Sequence, residues 1–116
     1  MTDRDADCLF CRIVADEIPA DRVHEDEAVI VFRDMNPAAP THLLAIPRRH
    51  VASADELTEG DGELLAALFG ALRRAAAAAG LQDYRIVTNV GARAGQSVFH
   101  LHLHLLGGRP FSWPPG

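Results

Sequence analysis

Apolar and polar residues alternate strictly near the end of the chain. Residues 99–106 read FHLHLHLL, so histidines occupy positions 100, 102 and 104 and leucines occupy 101, 103 and 105. Successive side chains of a strand point to opposite faces, so this pattern predicts a strand over residues 97–106. It also predicts that Leu101, Leu103 and Leu105 share one face and that His100, His102 and His104 share the other.

A different period marks the middle of the chain. Residues 61–80 have apolar positions at the spacing of one helix face: Leu64, Leu65, Leu68, Phe69, Leu72 and Ala76. Thr58 or Asp61 suits the start of this helix, and Gly80 stands where a helix-ending glycine belongs. The pattern predicts one long helix over 61–80.

Shorter patterns complete the predicted architecture. Residues 8–14 predict a short helix, and four further strands are predicted at 23–25, 28–33, 42–46 and 84–89. The helices do not alternate with the strands, which disfavours a doubly wound parallel fold. We predict an α+β protein with a mostly antiparallel, five-stranded sheet. Residues 1–116 form one domain in this prediction, with a frayed segment at 1–7 and a tail at 109–116.

Composition excludes several classes of protein. The chain has 116 residues, of which 48% are hydrophobic, and a formal net charge of −5. An acidic chain with 6% aromatic residues suits neither the backbone nor the bases of a nucleic acid. We find no secretory signal and no apolar stretch near the roughly 20 residues that cross a bilayer. With two cysteines, the chain is expected to be a cytoplasmic protein with reduced thiols.

Three histidines on one strand face favour a functional site, because half-burying imidazoles has a polar cost and no packing gain. Two chemistries remain open at this point. A His-x-His pair can bind a metal, or several imidazoles can converge on an anion as nucleophile, acid and donors. The preceding loop, residues 89–97 (NVGARAGQS), supplies glycines and amide and hydroxyl groups that suit phosphate. A Walker A motif and a G-x-G-x-x-G motif are absent.

The pair Cys8 and Cys11 is a Cys-x-x-Cys motif, which alone fits a redox pair, half of a zinc site or two buried thiols. A thioredoxin-like assignment fails, because no strand precedes the motif and no βαβ unit follows it.

Several motifs together resemble the histidine triad (HIT) superfamily, most closely its Hint branch. They are CLFC at 8–11, FRDMNP at 32–37, PTH at 40–42, QSVFHLHLHLLGGR at 96–109 and WPPG at 113–116. The resemblance implies the HIT fold, dimerising into a ten-stranded sheet. It also implies a nucleoside phosphoramidase, which hydrolyses the P–N bond of a purine nucleoside 5′-phosphoramidate and releases an amine and a nucleotide of the AMP or GMP type.

The resemblance also implies a role for each site residue. His102 is the nucleophile that forms a nucleotidyl-histidine, His104 assists the leaving amine, His42 orients an imidazole, and His100 belongs to the active site. The expected phosphate contacts are Asn89, Gly95, Gln96, Ser97 and Val98. Asp34 is expected to bind the ribose, and the base is expected between apolar residues that include Phe10, Ile13, Ile18, Phe32, Met35 and Leu43.

Some members of the family bind zinc through residues that this chain also has: Cys8, Cys11, His50 and His100. Two thiolates and two imidazoles suit a closed, tetrahedral, structural zinc site. A zinc-bound His100 could not also relay a proton. An organic cofactor is not expected.

Two alternatives remain beside the phosphoramidase. One is a dinucleoside polyphosphate hydrolase, another branch of the superfamily, and the other is a nucleotide- or zinc-binding regulatory protein with incidental hydrolysis. The resemblance further implies a homodimer in which Trp113 reaches towards the partner's active site. Neither a nucleic acid nor a membrane is an expected partner.

Overall fold

The computed structural model describes residues 6–116. Within this range the helices are α1 (Leu9–Val14) and α2 (Gly62–Ala78), and the strands are β1 (Arg22–Glu25), β2 (Val29–Arg33), β3 (Thr41–Pro47), β4 (Tyr84–Val87) and β5 (Leu103–Gly107). Most of the segment predicted to be frayed, residues 1–5, lies outside the described range. Ala6 and Asp7 are exposed and precede α1.

The strands form one five-stranded sheet in the order β1-β2-β3-β5-β4, and every neighbouring pair is antiparallel. This confirms the predicted α+β architecture. The histidine-bearing strand β5 is interior, between β3 and β4. In its register with β3, His42 is opposite Leu106 and Leu44 is opposite His104. Opposed residues of an antiparallel pair share a face, so His42 and His104 are diagonal neighbours on one face.

Helix α2 covers the other face of the sheet. Its residues Leu68 and Leu72 are fully buried against Leu43, Leu103 and Leu105, as the alternation in β5 predicts. Each buried leucine contributes about 2 kcal/mol through burial of its side chain. This apolar layer stabilises β5 from behind, so the histidine face is free for a site.

The histidine face is partly covered by the short helix α1. Phe10, Cys11 and Ile13 pack against Ile30, Phe32, Leu44 and Ile46 of the sheet. Cys8 caps the N-terminus of α1, because its sulfur accepts a hydrogen bond from the backbone N–H of Cys11 at 3.3 Å. A six-residue helix covers only part of the face. The uncovered part becomes a cleft.

The prediction that the last strand begins at residue 97 is wrong. Strand β5 begins at Leu103, which pairs with Ala45, and β3 ends two residues later at Pro47. Residues 97–102 form no strand, although β3 continues past the last paired residue and His100 Nε2 donates to the carbonyl of Pro47. A separate backbone bond, from Leu101 N–H to Val51 O at 2.6 Å, holds this segment.

The long helix also differs from its prediction at its start. A 3₁₀ turn, Glu59–Asp61, precedes α2, and the Thr58 and Asp61 side chains close a capping box there, while Asp61 makes no side-chain cap to α2 itself. Gly80 follows the helix with φ of +74°, a conformation that favours glycine. The predicted apolar stripe is wrong at Phe69, which is 49% exposed. Ala71 and Ala75 occupy buried positions on the packing face instead.

The other predicted strands are correct to within one residue at most ends. β4 is shorter than predicted and ends at Val87 rather than at residue 89. None of the described helices is long and apolar enough to cross a membrane.

Candidate functional site

A cleft of about 710 Å³ opens between α1 and the sheet. Its walls are mostly apolar and include Phe10, Ile13, Ile18, Phe32, Leu44 and Val98. Ser97, His102, His104 and Asp34 also line it. An apolar slot with a few polar groups is the usual form of a small-molecule site.

His102 presents an unprotonated nitrogen to this cleft. Its Nδ1 lies 2.7 Å from the carbonyl oxygen of His100. A carbonyl only accepts hydrogen bonds, so Nδ1 carries the proton and Nε2 of the neutral ring carries the lone pair. The ring packs edge-on against Phe10, with the two ring centroids 5.1 Å apart. Burial lowers the pKa of His102 from its usual value, which keeps the ring neutral and nucleophilic at pH 7.

His104 presents the opposite chemistry, a proton. Its Nδ1 lies 2.9 Å from Nε2 of His42, and the backbone N–H of Ala38 donates to Nδ1 of His42 at 3.0 Å. Because Nδ1 of His42 accepts, Nε2 of the neutral His42 carries a proton and donates it to Nδ1 of His104. The proton of neutral His104 is therefore on Nε2.

Burial, reinforced by the neighbouring His102 and His42, lowers the pKa of His104 to about 4. Two nearby imidazoles would repel a proton added to a third. At neutral pH the cleft thus contains one imidazole that accepts and one that donates, with ring centroids 5.0 Å apart.

The loop that contains Ala38 is held by the two residues that follow β5. Arg109 donates to the carbonyl of Ala38 at 3.2 Å. Gly108 has φ of +91°, and a Cβ there would lie 2.8 Å from Cβ of Pro40. A glycine is required for this close approach.

Asp34 lies beside the same histidine pair, with a carboxylate oxygen 3.4 Å from Nε2 of His42. One ligand atom from each of Asp34, His42 and His104 lies within 4.8 Å of the others, which is close enough to surround a metal ion. The Ala38 N–H opposes this use. A metal on Nε2 of His42 requires the ring proton on Nδ1, where it would face the N–H of Ala38. The donor set therefore favours a hydrogen-bonded chain over a metal.

A second cluster lies behind the cleft and contains Cys8, Cys11, His50 and His100. Nδ1 of His100 is 3.3 Å from the sulfur of Cys8 and 3.3 Å from Nδ1 of His50. The sulfur of Cys11 is 3.2 Å from Nδ1 of His50 and 3.5 Å from Nδ1 of His100. Tetrahedral zinc, with bonds of about 2.0 Å to nitrogen and about 2.3 Å to sulfur, separates its ligands by roughly 3.3–3.8 Å. These four residues could bind such a metal.

The surroundings of His100 suit a metal ligand. The ring is fully buried, and its Nε2 donates to the carbonyl of Pro47 at 2.8 Å, which leaves Nδ1 unprotonated and directed at the cluster. Burial, the largest cause, lowers the pKa of His100 to about 4. His100 does not line the cleft. Its side chain is part of the cysteine cluster, and its carbonyl oxygen accepts the hydrogen bond from Nδ1 of His102.

Comparison with known proteins gives a consistent result. The family model described as "Scavenger mRNA decapping enzyme C-term binding" matches residues 7–111. An uncharacterised HIT-like protein of Synechocystis is 49% identical over 111 residues, 95% of this chain and 97% of that protein. A HIT family hydrolase from Legionella pneumophila superposes with a TM-score of 0.92 at 50% identity, covering 95% of this chain and all of that one.

The chain belongs to the histidine triad family. A second HIT family hydrolase, from Clostridium thermocellum, has a TM-score of 0.92 at 42% identity and covers 94% of this chain and 96% of that one. A histidine triad protein from Clostridium difficile has a TM-score of 0.90 at 33% identity and covers the same two shares. The predicted HIT fold is thereby confirmed, and assignment to the Hint branch stays a prediction.

The cleft of this HIT protein brings together much of the predicted nucleotide site. The predicted residues that line it are Phe10, Ile13, Ile18, Phe32, Asp34, Met35, Ser97, Val98, His102 and His104. Met35 stands at the surface, 91% exposed. His42 lies behind His104 and acts on the cleft through it.

Other predicted contacts lie elsewhere. Asn89 and Gly95 are neighbours in the loop before the histidines but do not line the cleft, and Gln96 is buried beneath it. The predicted wall residue Leu43 packs against α2, and Leu44 lines the cleft in its place. A shift of one residue along a strand exchanges faces. The alternation His42, Leu44, Ile46 contained the signal for the correct assignment.

The sequence interpretation also missed a polar pair at the cleft. Arg33 and Asp21 both line it, and Nε of Arg33 lies 3.0 Å from an Asp21 oxygen. Both side chains are largely exposed. His24, the remaining histidine, bonds Asp26 at 2.8 Å in the first hairpin and does not line the cleft.

Proposed function

We propose that this HIT protein is a hydrolase that cleaves the P–N bond of purine nucleoside 5′-phosphoramidates. The observation that carries the proposal is the pair of opposite tautomers. His102 offers a lone pair and His104 offers an N–H, and both rings line one cleft. Cleavage of a P–N bond needs both, because phosphorus needs a nucleophile and an amine leaves only when protonated.

The reaction then has two balanced steps. Nε2 of His102 attacks the α-phosphorus, the P–N bond breaks, and the leaving nitrogen takes the proton from Nε2 of His104, which a proton from solvent replaces, so His104 stays neutral. Water then attacks the nucleotidyl-histidine, the bond to His102 breaks, and the nucleoside monophosphate, neutral His102 and a proton to solvent are released. The carbonyl of His100 supports the covalent stage, because it accepts from Nδ1–H of His102, whose ring then carries positive charge.

The phosphate, ribose and base of the substrate can each be assigned to residues that line the cleft. We assign the phosphate to Ser97 and Val98, beside the histidines, the ribose to Asp34, and the base to the apolar slot between Phe10 and Phe32. The Asp34 carboxylate suits the ribose because a carboxylate accepts two hydrogen bonds from adjacent hydroxyls. The loop residues Asn89 and Gly95 keep a predicted role in shaping the phosphate site.

The pH dependence of kcat/KM tests the state of His104. We expect activity to persist as pH falls through 6 and to be lost at lower pH, because burial lowers the pKa of the nucleophile His102 and lowers that of His104 to about 4. The protonated ring would carry a proton on Nδ1 and lose the bond from His42. Rates between pH 4 and 8, with circular dichroism to confirm a folded protein, provide the measurement. An acid limb centred near 6.5 would contradict a buried, neutral His104.

Purine substrates should be hydrolysed more efficiently than pyrimidine substrates. The larger base covers more of the apolar slot, and the extra ring is worth about 1–3 kcal/mol, or roughly 10- to 200-fold in kcat/KM. Competition between adenosine and cytidine phosphoramidates with the same amine measures the ratio directly. Equal efficiencies would remove the assignment of the base to this slot.

A dinucleoside polyphosphate hydrolase is the second candidate. The matching family model is named for a scavenger mRNA decapping enzyme, and mRNA caps are dinucleoside polyphosphates. The same two histidines serve that reaction with a phosphate as leaving group. A panel of phosphoramidates and dinucleoside polyphosphates, with intact-mass detection of a nucleotide adduct on His102, separates the two. An adduct with no turnover of either class would favour the regulatory binding protein.

The assembly, the metal and the location complete the proposal. We propose one HIT domain over residues 1–116 that forms a homodimer with a ten-stranded sheet and works in the cytoplasm. Trp113, 82% exposed, is free to reach the partner's cleft. We further propose a structural zinc ion on Cys8, Cys11, His50 and His100, because four of the distances between their ligand atoms, 3.2–3.5 Å, are close to those of a tetrahedral site.

A further inference from the structure

Gln96 is a polar side chain buried in the loop before the histidines, with 3% of its surface exposed. Its carboxamide bonds three backbone groups. Oε1 accepts from Gly91 N–H at 2.9 Å, and Nε2 donates to Ala52 O at 2.8 Å and to Val98 O at 3.1 Å. Both N–H groups of the amide are used, so Gln96 does not contact a nucleotide directly.

The three partners belong to different parts of the chain. Gly91 lies in the loop, immediately ahead of the 3₁₀ turn Ala92–Ala94. Ala52 follows Val51, whose carbonyl accepts from Leu101 N–H at 2.6 Å. Val98 lines the cleft beside Ser97. One side chain thus ties the loop, the segment after β3 and the cleft wall together.

We propose that Gln96 is a positioning residue that holds Ser97 and Val98 at the phosphate end of the cleft. The proposal rests on the proposed function, because it concerns the phosphate that His102 attacks. Residues 97–102 form no strand, so the carboxamide adds a constraint where the backbone pairing of a sheet is absent. Phosphoryl transfer depends mainly on positioning and electrostatic stabilisation, and a displacement of about 1 Å can reduce the rate about 100-fold.

The chemistry of an amide is specific here. The site needs one acceptor and two donors at fixed places, which glutamine provides and glutamate does not. A carboxylate at this position still accepts from Gly91, but it faces the carbonyl oxygens of Ala52 and Val98 without donors. Gln96→Glu is nearly isosteric and therefore removes the donors while it keeps the volume.

The kinetic experiment compares Gln96→Glu with Gln82→Glu, a matched change at an exposed residue in the turn before β4. With an adenosine phosphoramidate, we expect kcat of Gln96→Glu to fall about 100-fold, because the phosphate is misaligned. KM should change less than about threefold, since the base and ribose contacts remain. Gln82→Glu should match the wild type. An unchanged kcat, or a loss confined to KM, would overturn the proposal.

A spectroscopic experiment separates positioning from stability and from the proposed function. AMP is added to each ¹⁵N-labelled protein, and the Ser97 and Val98 amide shifts are followed. We expect a clear response in the wild type and in Gln82→Glu and a reduced one in Gln96→Glu, at a temperature where all are folded.

This second test remains valid if the wild type hydrolyses no phosphoramidate, which would overturn the proposed function alone. If the Ser97 and Val98 amides of Gln96→Glu respond to AMP as strongly as those of the wild type, the positioning role is overturned. Gln96→Met, which removes the donors without adding charge, should show the same loss of response. A normal response in that variant would also contradict the proposal.

Discussion

His102→Ala should abolish turnover and leave nucleotide binding nearly intact. We expect kcat to fall at least about 1000-fold, because the variant lacks the atom that bonds to phosphorus, and residues that act as one catalytic unit lose nearly all activity when one is removed. The dissociation constant of AMP should change by less than about fivefold, since the apolar slot and Asp34 remain. Steady-state hydrolysis and calorimetric titration with AMP provide the two numbers.

His24→Ala is the matched control, because it removes an imidazole that does not line the cleft. It should retain wild-type activity. A His102→Ala variant that keeps more than a few per cent of wild-type kcat, with the His24 control unaffected, would show that hydrolysis does not pass through a covalent histidine. Loss of the nucleotide adduct in the intact mass provides independent support.

Removal of the cysteine cluster should have the largest effect on stability. The cluster links α1 to the segment before β5. Cys11 and His100, which belong to these two parts, are 89 residues apart in the sequence. A metal there contributes folding free energy, and a loss of about 3 kcal/mol would lower Tm by at least about 10 °C. We expect about one zinc per chain in protein purified without chelator, and a Tm lowered equally by a strong chelator and by Cys11→Ser.

The effects of the chelator and of Cys11→Ser on Tm should not be additive. A chelator applied to Cys11→Ser should change its Tm little, because the site is already lost. A wild-type protein that contains no metal even after incubation with zinc, and whose Tm neither chelator nor Cys11→Ser lowers, would refute the structural zinc site. The pair Cys8 and Cys11 would then be two buried thiols.

The sequence predicted the order of elements well because periodicity reports how side chains face. The alternation in residues 99–106 correctly separated the leucines from the histidines, and the HIT motifs predicted the two chemical roles that we propose for His102 and His104. Periodicity does not report pairing, however. Residues 97–102 have the pattern of a strand, yet they form none: pairing with β3 stops at Ala45, and the N–H of Leu101 donates to Val51 instead.

The positions of individual loop side chains depend on contacts between distant segments. Gln96 looked like a phosphate ligand from its place in the loop, and its bond to Ala52 crosses 44 residues of sequence. The tautomers of His42 and His104 depend on the N–H of Ala38, a backbone group that no residue type reveals. Such features require coordinates, since they follow from how chain segments meet.

The close approach of Gly108 to Pro40 predicts which inactive alleles a genetic screen would recover. A larger residue at 108 would press on the loop that contains Ala38, whose N–H determines which nitrogen of His42 carries its proton. The pair His42 and His104 would then lose the orientation that our proposed mechanism uses to protonate the leaving group. A screen for inactive alleles should therefore recover changes at Gly108 among those at the histidines, in proteins that still fold and accumulate normally.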